Sequence, residues 1–164
     1  MRIVTLLNTL HPLKGFVYGK VDCEQGGKGE KPMLIRVELR EDRRKQGLCG
    51  RCGTPGPCYD HLRHRAFDFI PLWSIPVVLL YARRRIDCPR CGIRAERPHW
   101  ALGKSPVTVA MAWFLAMWAR ETSWLKVSQR FTVSWHKVYE AVKYAVDWGM
   151  AHRDVSGCRR HRSG

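Results

Sequence analysis

The chain has 164 residues, of which 45% are hydrophobic, and a formal net charge of +15 at pH 7. This hydrophobic content is typical of a globular protein and excludes wholesale disorder, while the lack of any apolar run of about 18 residues excludes a spanning helix and a membrane partner. The charge predicts a polyanionic partner, most simply nucleic acid, because solubility alone needs a net charge of only about 2–8 in a small domain.

The first 46 residues are predicted to form an N-terminal segment with one strand and one flexible loop. Residues 25–32 have the composition of a flexible loop, and residues 33–40 alternate between apolar and polar side chains as a strand does. Polar residues interrupt the apolar ones at the N-terminus, which makes a poor signal peptide. We therefore expect a cytoplasmic protein, in which seven cysteines are more often metal ligands than disulfide partners.

Two Cys-x-x-Cys pairs define the second predicted unit, a zinc-ribbon-like domain at residues 47–98. Tetrahedral Zn²⁺ takes four soft ligands at about 2.3 Å from sulfur, and a two-residue spacer lets one turn direct both sulfurs of a pair at one ion. We expect one structural zinc ion bound by Cys49, Cys52, Cys88 and Cys91. Cys23, Cys58 and Cys158 are expected to be free, with Cys58 as a possible substitute ligand.

The gap between the two cysteine pairs is longer than the usual ribbon spacing of roughly 15–20 residues. Segments rich in β-forming residues at 67–73 and 77–86 predict a hairpin that fills the gap. Three arginines that close the second strand are candidate DNA contacts: Arg83, Arg84 and Arg85. A thiol-redox enzyme is an alternative use of Cys-x-x-Cys, although no βαβ pattern surrounds either pair.

After Trp100 the pattern changes from strand to helix, and the third predicted unit is an all-α helix-turn-helix domain at residues 104–150. Serines at 105, 123 and 134 are candidate N-caps of helices at 105–120, 123–130 and 134–148. Residues 131–133 have the length of a helix-turn-helix turn. Thr132 stands where such turns usually have glycine, and because a β-branched residue disfavours positive φ, we expect a distorted turn.

The last helix of this domain is the predicted recognition helix, whose outward residues would meet DNA in the major groove. The candidate DNA contacts are Ser134, His136, Lys137, Tyr139, Glu140 and Lys143. Lysine can bind phosphate or guanine, and glutamate can accept a hydrogen bond from cytosine N4. A plain helical bundle with a polar face is the structural alternative. The tryptophans at 113, 118, 124, 135 and 148 are expected in the core, with a contact to the DNA backbone as an alternative for Trp135.

The predicted fold class is therefore α+β, with a small β-rich zinc-ribbon-like domain followed by an all-α helix-turn-helix domain. Residues 151–164 are rich in basic residues, have no periodicity and are expected to be a disordered tail.

Several sequence strings, in one order, resemble the N-terminal part of a bacterial insertion-sequence transposase with a zinc finger and helix-turn-helix ahead of a DDE-type nuclease core. The strings lie at 50–53, 59–60, 67–73, 84–92, 99–101, 113–116, 134–135 and 148–153. The resemblance covers residues 1–157. It implies a region that binds the terminal inverted repeats of the element as double-stranded DNA.

In that family the first catalytic aspartate follows the segment that ends here at residue 157, and a basic sequence stands there instead. Two-metal cleavage needs several converging carboxylates, and none here matches the family's catalytic positions. We therefore expect that this chain, as a truncated form, has no enzymatic activity. An intact transposase or a second copy of the chain are further candidate partners. A zinc-ribbon adaptor that binds RNA or protein is the alternative function.

Overall fold

The structure, a computed structural model, describes residues 2–25 and 32–153. The predicted flexible loop at 25–32 lies outside the described residues apart from its two ends, which belong to strands. The predicted tail at 151–164 lies outside them beyond Arg153, and so does Cys158. The described residues form a mixed α+β fold, as predicted, with four helices and nine strands.

In chain order, the elements are α1 (Ile3–Leu10), β1 (Phe16–Gln25), β2 (Pro32–Glu41), β3 (Gly47–Leu48), β4 (Pro55–Gly56), β5 (Cys58–His61), β6 (Arg65–Leu72), β7 (Ile75–Tyr81), β8 (Arg84–Cys88), β9 (Gly92–Ala95), α2 (Val109–Glu121), α3 (Trp124–Phe131) and α4 (Trp135–Ala151). None of the helices in the described ranges has both the length and the apolar character needed to cross a bilayer.

A four-stranded sheet with the strand order β1-β2-β7-β6 forms the first core. The predicted strand at 33–40 is confirmed as β2, and the predicted hairpin is confirmed as β6 and β7. Alternate residues of these strands are buried on one face of the sheet, as expected for a half-buried sheet. They include Ile35, Val37, Leu39, Phe67, Phe69, Val77 and Leu79, and helix α1 packs against them through Leu7.

The hairpin is part of this sheet, so the predicted boundary at residue 47 does not separate two folding units. Strand β7 pairs in parallel with β2, and Val37 lies opposite Leu79. The predicted strand at 77–86 is in fact two strands, because the chain leaves the sheet after Tyr81 and begins β8 in another sheet at Arg84. The sheet thus combines residues from the first two predicted domains.

The remaining strands form two small sheets that carry the cysteine pairs. β3 pairs with β4, and β8 lies between β5 and β9 in a three-stranded antiparallel sheet. Ile86 of β8 is fully buried. Its side chain lies so close to Gly47 of β3 that a Cβ added to this glycine would be 2.2 Å from the isoleucine. These strands form the ribbon-like part of the fold.

The three C-terminal helices pack around a second core that includes Met111, Leu115, Val127, Val138 and Ala141. The predicted caps of the last two helices are confirmed, because the hydroxyls of Ser123 and Ser134 accept hydrogen bonds from main-chain N–H groups three residues later. The predicted cap at Ser105 is wrong. Thr108 caps α2, and its hydroxyl accepts from the N–H of Met111 at 3.1 Å.

The late start of α2 has a cause in the neighbouring sheet. Asp68 of β6 donates its main-chain N–H to the carbonyl of Pro106 and accepts from the N–H of Thr108, at 2.8 and 3.0 Å. Residues 106–108 therefore extend along the edge of the sheet and cannot be helical. The same hydrogen bonds join the four-stranded sheet to the helical unit.

Two of the five tryptophans do not lie in the core. Trp113, Trp118 and Trp124 are partly buried, whereas Trp135 is 50% exposed and Trp148 is 45% exposed. The prediction that all five are core residues is wrong for these two, because α4 has only one face against α2 and α3.

Candidate metal centre and nucleic-acid-binding surface

The four predicted metal ligands meet at one point. Cys49 and Cys52 lie in the turn between β3 and β4, Cys88 is the last residue of β8, and Cys91 lies in the turn between β8 and β9. The four sulfur atoms are all within 4.8 Å of one another, and this is the one such cluster found in the described ranges. The sequence therefore brings together a set of four thiols that could hold a metal ion.

Each of the two turns contains a glycine with a positive φ angle. Gly53 and Gly92 have φ angles of 72° and 67°, and nothing lies within 4 Å of a Cβ placed on either. The glycines are thus required by backbone conformation and not by crowding. One main-chain hydrogen bond closes each turn. The N–H of Gly53 donates to the carbonyl of Cys49, and the N–H of Cys91 donates to the carbonyl of Cys88.

The geometry and the chemistry of the cluster fit a soft divalent ion. A tetrahedral ion at about 2.3 Å from each sulfur spaces the sulfurs about 3.8 Å apart, and the Cys52 and Cys88 sulfurs are 3.5 Å apart. The Thr54 hydroxyl, 3.2 Å from the Cys52 sulfur, lowers the pKa of that thiol to about 6. The hydrogen bond with Cys52 raises the pKa of Cys91 to about 12. A bound cation would stabilise the thiolate form of all four cysteines, including Cys91, and so favour their ionisation.

The other cysteines lie outside the cluster. Cys58 is exposed on β5, and its thiol donates a hydrogen bond to the carbonyl of Asp60 at 3.4 Å. Cys23 is exposed on β1. Neither sulfur belongs to the group of four.

Arg84, a predicted DNA contact, is buried next to the metal centre. Only 6% of the residue is exposed, and its guanidinium Nε donates to the carboxylate of Glu96 at 2.9 Å. The main chain of Glu96 forms an isolated antiparallel β-bridge with Cys49, and its carboxylate accepts a hydrogen bond from the hydroxyl of Tyr81. The prediction for Arg84 is therefore wrong, because burial and this pairing keep the guanidinium from DNA.

The two neighbouring arginines differ from Arg84. Arg85 forms an ion pair with Asp60 and lies over the ring of Tyr59 at 5.5 Å, with 40% of its side chain exposed. Arg83 is partly exposed. Strand alternation explains the contrast between Arg84 and Arg85, since successive side chains of a strand point to opposite faces.

Most of the predicted contacts on α4 share one exposed side of the helix. His136 has 76% of its side chain exposed, and its Nε2 lies 3.9 Å from the Glu140 carboxylate. Tyr139 is 39% exposed, and Lys143 is also exposed. Ser134 is exposed as well, although its hydroxyl is engaged as the helix cap.

Lys137 does not belong to this free surface. Its ammonium group donates to the carboxylate of Asp68 at 2.5 Å, and less than a third of either side chain is exposed. The sequence pattern placed Lys137 on the outward face, but it could not show a carboxylate on a strand 69 residues away. In this structure the Lys137 ammonium is therefore engaged by Asp68 and does not share the exposed side of α4.

Sequence reasoning also missed an aromatic cluster where α3 and α4 begin. It consists of Trp124, Trp135, His136 and Tyr139. The Trp124 and Trp135 rings are 5.8 Å apart between centroids, and the Trp135 and Tyr139 rings are 5.9 Å apart with 14° between their planes. The repeated pair Ser-Trp at 123–124 and 134–135 was the sequence signal for it.

No protein-family model, curated protein or solved structure matches the chain. The geometry of the metal centre and of the helical surface therefore carries the functional interpretation.

Proposed function

We propose that this chain is the DNA-binding region of an insertion-sequence transposase, with one structural zinc ion and no catalytic activity of its own. The observation that carries the proposal is the arrangement of α3 and α4. Two serine-capped helices are joined by a three-residue turn, and the second helix presents His136, Tyr139 and Lys143 to solvent. Such an arrangement suits a helix that enters the major groove.

The charge supports a nucleic-acid partner. A net charge of +15 favours association with a polyanion, and the affinity should fall steeply with salt. The described residues that could contact DNA are Ser134, His136, Tyr139, Glu140 and Lys143, with Arg83 and Arg85 as contacts outside the helical unit. The resemblance to transposase N-terminal regions supports inverted-repeat ends as the target.

The four sulfurs support a structural role for the ion. Four thiolates leave no open coordination position for a substrate or water, which is the mark of a structural zinc site. The ion would hold the turn after β3 to the turn after β8, next to the buried Arg84–Glu96 pair. Zinc would thus stabilise the fold that presents the DNA-binding helix.

Selection from a pool of random DNA duplexes tests the proposal. At about 0.15 M salt, where weak long-range attraction is largely screened, we expect the zinc-loaded chain to enrich one sequence motif. Lys143→Ala should weaken binding to that motif. The matched control Lys20→Ala, which removes an exposed lysine paired with Asp22 on β1, should bind almost as the unaltered chain does.

Two results would contradict the proposal. A pool that stays unenriched would mean that the chain does not read duplex sequence. Stronger binding to single-stranded RNA than to the selected duplex would favour the adaptor function instead.

A further inference from the structure

The aromatic cluster, Trp124, Trp135, His136 and Tyr139, presents ring faces that the reading of base edges in a duplex does not use. Trp135 and Tyr139 lie one helical turn apart on α4 and are 50% and 39% exposed. The two rings are stacked with 14° between their planes, so each has one face turned away from the other ring. Trp124 contacts both rings from α3, with centroids at 5.8 and 6.3 Å.

The cluster is separate from the aromatic core of the same unit. Phe114, Trp118 and Phe131 pack edge to face inside the bundle, with centroids 4.8 to 6.4 Å apart. Trp135 packs instead against neighbours that are themselves partly exposed. Leu125, the next residue of α3 after Trp124, is also exposed, at 59%. Contiguous exposed apolar surface of this kind usually marks a binding site.

The charges of α3 and α4 select the class of partner. Basic residues outnumber acidic ones between residues 123 and 153: Lys126, Arg130, Lys137, Lys143 and Arg153 stand against Glu140 and Asp147. Lys126 and Lys143 are exposed on the same two helices as the rings. Aromatic rings among cations complement a partner with flat π-faces and phosphates, which is a description of unstacked nucleic acid.

The bases of an intact duplex cannot stack on these rings. Its major groove offers base edges and not base faces, because each face is covered by the neighbouring base pair. A base becomes available to an aromatic side chain where the strands are open or the base is flipped out.

We infer that the aromatic cluster stacks on unpaired bases, so that the DNA surface of this chain prefers locally opened DNA to uniform duplex. This inference rests on the proposed function and deepens it by specifying the state of the DNA. Trp135 and Tyr139 contact the base faces, and Lys143 contributes charge to the neighbouring phosphates. The Glu140 carboxylate lies 3.9 Å from Nε2 of His136.

A comparison of two DNA molecules tests the inference. One is a uniform duplex, and the other has the same sequence with an internal loop of unpaired thymidines. We expect the unaltered chain to bind the looped DNA more tightly, by about 5- to 150-fold for one stacked base. Trp135→Ala and Tyr139→Ala should remove most of that preference, and Trp135→Phe should keep part of it.

Trp148→Ala is the matched control. Trp148 is 45% exposed but lies near the other end of α4, stacked on His152 at 4.1 Å, so its removal should leave the ratio of the two affinities unchanged. Lys143→Ala should weaken binding to both DNA molecules by a similar factor. Since the measured quantity is a ratio, a modest loss of stability in a variant does not imitate the expected result.

Equal affinities of the unaltered chain for looped and uniform DNA would overturn the inference and leave the proposed function intact. An equal effect of Trp135→Ala and Trp148→Ala would also overturn it. If the chain bound neither DNA, the proposed function itself would fail.

Discussion

Glu96 and Arg84 bind each other inside the protein through both main-chain and side-chain contacts. The carboxylate of Glu96 accepts from the main-chain N–H of Arg84 at 3.0 Å and from its guanidinium Nε at 2.9 Å. The side chains are 3% and 8% exposed. The pair joins β8 to the segment after β9, and it also contacts Tyr81 at the end of the four-stranded sheet.

Loss of the Glu96 carboxylate should strongly destabilise the fold. Glu96→Ala leaves a buried guanidinium without its partner, which costs about 3–5 kcal/mol. Asp60→Ala breaks the more exposed pair with Arg85 and should cost much less, because solvent screens that pair. Urea unfolding of the metal-loaded proteins measures both free energies, and similar values for the two variants would show that the buried pair has no special role.

The metal centre should determine the stability of the ribbon-like strands. We expect one zinc ion per chain, and chelation or Cys49→Ser should unfold β3, β4, β5, β8 and β9, because metal-binding free energy is folding free energy in small sites. Cys58→Ser should change neither metal content nor melting, since Cys58 lies outside the cluster. Elemental analysis and thermal melting provide the readouts. A melting profile that chelation leaves unchanged would contradict a structural ion.

The strained turn between α3 and α4 should be improved by glycine. Thr132 has φ 53° and ψ 40°, a left-handed conformation that a β-branched residue disfavours. Thr132→Gly should therefore stabilise the protein by about 1 kcal/mol. At the end of α2, Thr122 has an extended φ of −151°, so Thr122→Gly should give no gain. Thermal melting compares the variants, and a stabilisation shared by both would rule out relief of strain as the cause.

The ion pair between Asp68 and Lys137 should limit DNA affinity. Asp68→Asn removes the negative charge that holds the Lys137 ammonium, which then becomes free to contact phosphate. Binding should strengthen, and the slope of log affinity against log salt should steepen by about 0.9 for one more phosphate contact. Asp22→Asn, an exposed carboxylate paired with Lys20, is the control of equal charge change. Equal slopes for the two variants would contradict a specific release of Lys137.

The turns of the two cysteine pairs and the starts of α3 and α4 could be predicted from the sequence because both depend on local spacing. Two residues between cysteines fix the turn, and Ser123 and Ser134 satisfy the first N–H groups of their own helices. The partners of charged side chains depend on residues far along the chain. Asp68 is hydrogen-bonded through its main chain to the extended segment before α2 and through its carboxylate to Lys137. No local sequence pattern reveals either contact.

The domain boundary failed for a similar reason. The parallel pairing of β2 with β7 joins segments about 40 residues apart, and the sequence of either strand shows only that it alternates. Arg84 could have been interpreted better, since strand periodicity already places it on the face opposite its neighbour Arg85. The exposure of Trp135 required knowledge of which side of α4 has a partner.

The parallel pairing of β2 with β7 also has a kinetic consequence. The chain between these strands carries the first cysteine pair, and the second pair follows β7. A metal ion bound by Cys52 and Cys88, 36 residues apart, would close the loop that contains the β6–β7 hairpin and so shorten the chain path between β2 and β7. Since loop closure limits the folding of chains with distant contacts, the ion should accelerate refolding as well as oppose unfolding.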